Sequence, residues 1–253
     1  MGEGPAALLW DVDGTLAETE ANGHRRAFNQ AFAEEGLPWR WDGPTYQRLL
    51  AISGGRERMA AYLTTMEGQP PAPERLQRLQ RRKQQHYADL IGTGQLPLRP
   101  GVERLIREAH QAGLRQGIVT TSSRSAVEAL AATTLGDLAN AFAFWICGED
   151  VSTKKPDPEG YLLAVQRLGL PPQRLLVLED SAQGLAAASA AGLACLITLS
   201  AQSALEPPEH FFAARAVVDG LGTNTAASTV RRGPPCPQGM VTLSYLQCLL
   251  PQP

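Results

Sequence analysis

The sequence predicts an α/β fold: a Rossmann-like, doubly wound parallel sheet carrying an inserted all-helical cap domain. Three observations predict it. From residue 98 onward, short apolar runs alternate with helical patterns, as in a parallel sheet covered on both faces. The first apolar run, Ala6-Ala7-Leu8-Leu9-Trp10, precedes about eighty residues that show helical periodicity and no convincing strand. Residues able to do chemistry stand at the ends of the apolar runs, where open α/β sheets place their sites.

The first run is a buried strand. Amphipathic helices follow near 22–35, 44–50, 55–66 and 73–91, broken at Gly36-Leu37-Pro38, Ser53-Gly54-Gly55 and Gly68-Gln69-Pro70-Pro71. An all-helical insertion after the first strand is the expected form of a mobile cap, with linkers at 16–20 and 92–98, and its closure would keep bulk water from a reacting centre. Arg99-Pro100-Gly101 then opens the alternation: helix 101–112, strand 116–120, helix 124–135, strand 143–147, helix 158–168, strand 175–179, helix 182–191 and strand 194–198. Residues 220–238 are rich in Gly, Pro, Ser and Thr and read as irregular, whereas 241–250 predict a final short helix with Thr242 or Ser244 near its start. The expected organisation is a core of residues 1–19 and 93–253, with an irregular tail over 220–253, and a cap of residues 20–92.

At 253 residues the chain has room for a core with a smaller insertion. Lys and Arg total 23 against 25 for Asp and Glu, so no net field recruits nucleic acid or an anionic membrane. Basic residues cluster at Gln80-Arg81-Arg82-Lys83-Gln84-Gln85-His86, but without the aromatic interleaving that nucleic acid requires. Cys147, Cys195, Cys236 and Cys248 have neither zinc spacing nor the density of a disulfide framework. Met1-Gly2-Glu3-Gly4-Pro5 lacks a basic stretch before an apolar run, and no apolar run is long enough to cross a bilayer. A cytoplasmic monomer without nucleic-acid or membrane partners is the expectation.

Asp11-Val12-Asp13-Gly14-Thr15 is the most informative stretch: two carboxylates two residues apart at the end of a strand, with a turn at Gly14. Once a cation screens their repulsion, one can attack phosphorus while the other moves a proton. Three later segments add what this pair lacks. Gly117-Ile118-Val119-Thr120-Thr121-Ser122-Ser123 ends a strand in hydroxyls that can donate to a phosphoryl oxygen. Lys154-Lys155-Pro156-Asp157-Pro158 puts a cation before a helix. Leu175-Leu176-Val177-Leu178 leads into Glu179-Asp180-Ser181, whose carboxylates suit a magnesium ion that keeps several waters.

This ordered set resembles the haloacid dehalogenase superfamily of phosphohydrolases over roughly residues 7–199. The chain is most similar to the CbbY-type sugar-bisphosphate phosphatases, through Asp11-Val12-Asp13-Gly14-Thr15-Leu16-Ala17-Glu18-Thr19-Glu20, Gly23-His24-Arg25, Gly54-Gly55-Arg56-Glu57-Arg58 and Leu178-Glu179-Asp180-Ser181. The resemblance implies a Mg2+-dependent phosphatase that converts xylulose-1,5-bisphosphate to xylulose-5-phosphate through an aspartyl phosphate and so clears a misfire product of carbon fixation. Asp11 would be the nucleophile and Asp13 the acid and base, with Thr120 in the hydroxyl role and Lys155 in the charge role. Magnesium would be held by a side-chain oxygen of Asp11, the backbone carbonyl of Asp13 and the carboxylate of Asp180, with Glu179 touching it directly or through water. Thr121, Ser122 and Ser123 add donors, and Arg124 stands where a small or amide residue is expected. A bisphosphate needs a second anion site, for which the cap offers Gly54, Gly55, Arg56, Glu57, Arg58, Arg81 and Lys83. Glu18 and His24 resemble positions that contact sugar hydroxyls. The alternatives are a sugar-phosphate mutase using the same aspartates, a phosphoglycolate phosphatase, and a non-catalytic binding protein on a phosphatase scaffold.

Overall fold

The computed structural model describes residues 4–94 and 96–251; the reading of the N-terminus as free of a leader falls partly on residues 1–3, outside the described residues. Among the described residues seven strands form one sheet: β1 (Ala7–Trp10), β2 (Arg115–Val119), β3 (Phe144–Ile146), β4 (Leu175–Glu179), β5 (Ala194–Thr198), β6 (Ala216–Val218) and β7 (Val230–Arg232). Their order is β3-β2-β1-β4-β5-β6-β7, parallel throughout except for the antiparallel edge pair β6–β7. The order reverses at β1, between β2 and β4, and this is the crevice where a doubly wound sheet places its site.

Alternation along the central strands builds two cores. Leu8 and Trp10 of β1, Leu176 and Leu178 of β4 and Leu196 of β5 face one layer. Ala7, Leu9, Leu175, Val177, Cys195 and Ile197 face the other. The helices α5 (Val102–Gln111), α6 (Arg124–Leu130), α7 (Glu159–Leu168) and α8 (Ala182–Ala190) cover these faces. One polar pair lies in the first core: Trp10 Nε1 donates to Gln116 Oε1 at 3.0 Å, and Gln116 Nε2 donates to the Ile106 carbonyl at 3.0 Å. Gln116→Leu orphans both partners and is expected to cost about 1–3 kcal/mol in urea unfolding; an unchanged midpoint would contradict this reading.

Between β1 and α5 the described chain is helical: α1 (Arg25–Glu34), α2 (Gly43–Leu49), α3 (Gly55–Glu67) and α4 (Pro73–Gly92). This insert has its own aromatic centre of Phe28, Phe32, Trp41 and Tyr46 with Met59, Leu63 and Leu79. The helix expected from residue 22 differs at its start. Glu20–His24 forms a π-helical turn, with the Arg25 N–H bonded to the Glu20 carbonyl, and the extra residue per turn redirects the side chains leading into α1.

The tail departs from expectation in its strands. Ala216–Val218 is only three residues long, too short to show a period, and β7 lies inside the stretch expected to be irregular. The final helix α9 (Leu243–Cys248) starts where the sequence suggests, capped by the Thr242 side chain. No helix among the described residues is long and apolar enough to cross a membrane.

Candidate active site

The carboxyl edge of β1 sets the first two carboxylates. The Asp11 N–H still pairs with the Leu178 carbonyl of β4 at 3.0 Å; the chain then turns, with the Gly14 N–H bonded to the Ala17 carbonyl at 2.8 Å. Gly14 has φ +84°, and a Cβ there would lie 2.1 Å from Asp180 Oδ2, so both conformation and space demand glycine. Across this turn the two aspartates part company. Asp11 accepts from Lys155 Nζ at 2.7 Å. Asp13 turns toward the helical insert and accepts from Thr19 Oγ1 at 2.5 Å, His24 Nε2 at 2.8 Å and Ser122 Oγ.

Their electrostatics differ accordingly. Burial, and then the negative charges of Glu179 and Asp13, push Asp11 well above the ordinary carboxylate range against the charge and hydrogen bond of Lys155. Burial acts the same way on Asp13 but is outweighed by attraction to His24 and the bonds from His24, Ser122 and Thr19, which hold Asp13 low and ionised. Lys83 Nζ lies 2.7 Å from His24 Nδ1. The imidazole therefore bridges Asp13 and Lys83. Tyr87 stacks on the His24 ring at 4.0 Å and fixes its plane.

Lys155 is buried between Asp11, Glu179 and the Val119 carbonyl, the last at 2.8 Å. Burial alone would lower its proton affinity, but Asp11 and Glu179 raise it beyond the ordinary lysine value, so it stays charged. Glu179 is fully buried and accepts from Lys155, from the Tyr161 hydroxyl at 2.8 Å, from the Asp180 N–H at 3.2 Å and from Ser181 Oγ at 3.1 Å. These bonds occupy both of its oxygens and place it behind Asp11 and Asp180. Space is tight there: a Cβ on Gly184 of α8 would lie 1.9 Å from the Glu179 carboxyl carbon. Burial and then the charges of Asp11 and Glu179 push Asp180 up, against a hydrogen bond with Ser200 and the charge of Arg99.

Asp11, Glu179 and Asp180 bring carboxylate oxygens within 4.8 Å of one another. Three carboxylates facing one ammonium carry uncompensated negative charge, and all the donors are hard oxygens. The residues present therefore fit a divalent cation.

Thr120 ends the strand segment after β2, buried, its N–H on the Ile146 carbonyl at 2.9 Å and its Oγ1 accepting from the Ser122 N–H at 3.1 Å, so its own proton remains available to donate. Thr121, Ser122 and Ser123 border a cavity of about 610 Å³ between the sheet edge and the insert. Ser123 also caps α6. Arg124 turns outward to pair with Asp150 at 2.5 Å, which is how a large residue is accommodated beside the hydroxyl loop.

On the insert side the cavity is bordered by His24, Gly54, Gly55, Arg56, Glu57 and Lys83. Glu57 is ion-paired through both oxygens at 2.9 Å with Lys154 across the cavity mouth. Among the described residues no carboxylate pairs with Arg56. Arg58 also reaches the wall, but it is buried and bonded to the Tyr46 hydroxyl at 3.0 Å and the carbonyls of Leu49 and Ile52 at 3.1 and 3.3 Å, which pins the loop between α2 and α3. A smaller cavity of about 80 Å³ joins at Asp11, Asp13 and Asp180.

Two expected residues lie elsewhere. Arg81 is exposed and off the cavity wall: on α4 the buried face runs Leu79, Lys83, Tyr87, and a residue two positions from Lys83 points away. Glu18 is also off the wall, accepting from the Ala201 N–H at 3.2 Å and pairing with Arg99 at 3.2 Å. Glu20 borders both cavities instead and bonds the Tyr46 hydroxyl. The signal missed is the π turn, which has no sequence signature. Lys154, by contrast, was visible as the neighbour of Lys155.

An aspartate facing a buried lysine at the switch point of a doubly wound sheet is the layout of an α/β phosphohydrolase. The model of the haloacid dehalogenase-like hydrolases matches residues 5–192, and the chain belongs to that family as an enzyme of the phosphatase class. Within it the similarity is to CbbY proteins. Protein CbbY of Rhodobacter capsulatus is 47% identical over 195 residues, 77% of this chain and 85% of that protein. The CBBY-like protein of Arabidopsis thaliana is 41% identical over 225 residues, covering 86% of this chain and 70% of that one. A crystallised CbbY mutant from Rhodobacter sphaeroides, in complex with xylulose-1,5-bisphosphate, superposes with a TM-score of 0.80 at 40% identity, covering 87% of this chain and 98% of that chain.

Proposed function

We propose that the enzyme is a Mg2+-dependent phosphatase that hydrolyses xylulose-1,5-bisphosphate to xylulose-5-phosphate. The observation that carries this reading is a pair of adjoining cavities that share Asp13, Thr121 and Lys155: the smaller, of about 80 Å³, is bordered by Asp11 and Asp180, and the larger, of about 610 Å³, by Gly54, Gly55, Arg56 and Lys83. That spacing suits a small sugar with a phosphate at each end, and the similarity to a CbbY crystallised with xylulose-1,5-bisphosphate supports it. The transferred phosphate would sit at Asp11, Thr120 and Lys155, the distal phosphate at Gly54, Gly55, Arg56 and Lys83, and the sugar hydroxyls against Glu20 and His24. The helical insert of residues 20–92 would act as the cap, and Glu57–Lys154 as a contact that holds it down.

Asp11 attacks phosphorus, the P–O bond to the sugar breaks, and Asp13 supplies the proton to the leaving alkoxide. Asp13 acquires that proton because the incoming phosphate dianion raises its proton affinity from the low value set by His24 and Ser122. Asp13 then takes a proton from water as it attacks the aspartyl phosphate, releasing inorganic phosphate and restoring Asp11. A magnesium ion held by Asp11, the Asp13 carbonyl and Asp180 would supply charge neutralisation for the equatorial phosphoryl oxygens. Phosphate release is to be measured with Mg2+ and with EDTA across xylulose-1,5-bisphosphate, ribulose-1,5-bisphosphate, phosphoglycolate and glucose-1-phosphate with its bisphosphate. Metal-dependent release favouring the xylulose compound is expected; preference for phosphoglycolate would discard the distal site, and isomerisation without release would make the enzyme a mutase.

A pH dependence follows for the distal site. Burial, aided by the Arg58 charge, pulls the Lys83 ammonium down to about 8 against the attraction of Asp13 and Glu20. The free enzyme therefore loses this cation as pH rises through about 8, and kcat/KM is expected to fall there. In the complex a bound phosphate raises the lysine again, so kcat holds to higher pH. In Lys83→Gln the kcat/KM limb should vanish; its persistence would assign the limb to another group.

A further inference from the structure

Arg99 belongs to none of the roles described so far. It lies where the chain returns from the insert to the core, and there the two crossing segments run side by side: Ala17 and Leu98 form an antiparallel bridge, and the Arg99 N–H donates to the Leu16 carbonyl at 2.8 Å. Its side chain is buried, and it passes beneath the catalytic turn. Nη1 donates to the carbonyls of Gly14 and Thr198, the latter at 2.9 Å, Nη2 to the Leu199 carbonyl, and Nε faces Glu18 at 3.2 Å. One guanidinium thus joins the turn after Asp13, the outgoing crossing segment and the end of β5. The last of these leads into Ser200, whose Cβ is 3.1 Å from where a Gly14 Cβ would be and whose side chain bonds Asp180.

We propose that Arg99 is a positioning residue that locks the Asp11–Gly14 turn to the Asp180 loop and so fixes the geometry with which the enzyme holds its divalent cation. The physical basis is the residue after Asp13. Arg99 holds the Gly14 carbonyl, on the Gly14–Thr15 peptide, and the Ala17 carbonyl holds the Gly14 N–H, on the peptide that carries the Asp13 carbonyl; without the first anchor, rotation about the Gly14 backbone would swing the Asp13 carbonyl and alter the space beside Asp180. Only a planar fork reaches three carbonyls at once; a lysine has one nitrogen on a flexible stem. Because Glu18 and Arg99 stand on the two crossing segments, the same clamp ties the foot of the insert to the metal-holding loops. This inference rests on the reading of Asp11 and Asp180 as metal donors.

The test is Mg2+ binding without substrate, by calorimetry and by the rise in Tm on adding Mg2+, in the full-length wild type, Arg99→Met and Arg99→Lys. Both variants are expected to bind Mg2+ at least about tenfold more weakly, with Arg99→Lys, which keeps the charge, less affected. The Mg2+ concentration for half-maximal phosphatase activity should rise in parallel, and KM for the substrate at saturating Mg2+ should stay near the wild-type value. Folded variants that have lower Tm but bind Mg2+ like the wild type would overturn the proposal and leave Arg99 a structural residue only. Should Arg99→Met fail to fold, Arg99→Lys alone decides between these outcomes. A wild type that does not bind Mg2+ at all would instead overturn the metal reading on which the inference stands.

Discussion

Asp11→Asn is expected to abolish turnover, by on the order of 10⁴-fold or more, while leaving the protein folded. An amide oxygen does not attack phosphorus, and the neighbours have other partners: Asp13 is committed to Thr19, His24 and Ser122, Glu179 to Lys155, Tyr161 and Ser181, and Asp180 is the proposed metal donor. The variant should also be the more tolerant of alkaline conditions when stripped of metal. Burial and the adjacent carboxylates raise the folded Asp11 above its unfolded value, so the stability it contributes is complete below the unfolded carboxylate range and is lost as pH rises through the folded value. Replacing the carboxyl by an amide removes that loss. Thermal unfolding of EDTA-treated protein across pH, alongside phosphate release, checks both parts; residual turnover near the wild-type rate would dismiss Asp11 as the nucleophile.

Lys155→Met is expected to strike stability and catalysis together. Its ammonium is buried against Asp11 and Glu179, and deletion leaves two buried carboxylates without their cation, at a cost of about 3–5 kcal/mol. It also removes the positive charge that the proposed mechanism places beside the transferred phosphoryl group, for which a further loss of about 10²–10³ in kcat is expected. The two effects separate by denaturant unfolding and by single-turnover assays well below the midpoint. Added Mg2+ should rescue stability more in the variant than in the wild type, because a dication takes up part of the compensation the lysine provided. A variant as stable as the wild type would show that Glu179 and Asp11 become protonated at little cost.

Much of this was legible in the chain because the chemistry sits at strand ends. Asp11-Val12-Asp13-Gly14 and Glu179-Asp180 each follow an apolar run long enough to be read, Lys155 precedes a helix that Pro158 announces, and the sheet order brings them together. What escaped depends on directions that periodicity does not carry. Lys83 and Arg81 belong to one basic cluster, but only one can share the face of Leu79 and Tyr87. Glu18 and Glu20 differ by two residues, and a π turn decides that the second reaches the cavity. Arg58 borders the cavity, as an anion grip would, and also fastens a loop through acceptors at Tyr46, Leu49 and Ile52 that are set by the packing of two helices. β7 was unreadable because its exposed Arg231 and Arg232 leave no apolar run, and β6 because Arg215 and Asp219 cut its apolar run to three residues.

The sheet order has a consequence for how the enzyme is made. β1 leaves the ribosome first, yet it is hydrogen-bonded on one side to β2 and on the other to β4, whose first residue is Leu175. At about 5–20 residues per second the nascent chain carries an unclosed Ala7–Trp10 segment for roughly 8–33 s before its second neighbour is synthesised. The helical insert closes its aromatic centre over residues 28–79 and can be complete long before then. Production of this enzyme therefore places its burden on the earliest strand, and a shortage of chaperones should deplete it through aggregation of unfinished chains before it affects the activity of finished ones.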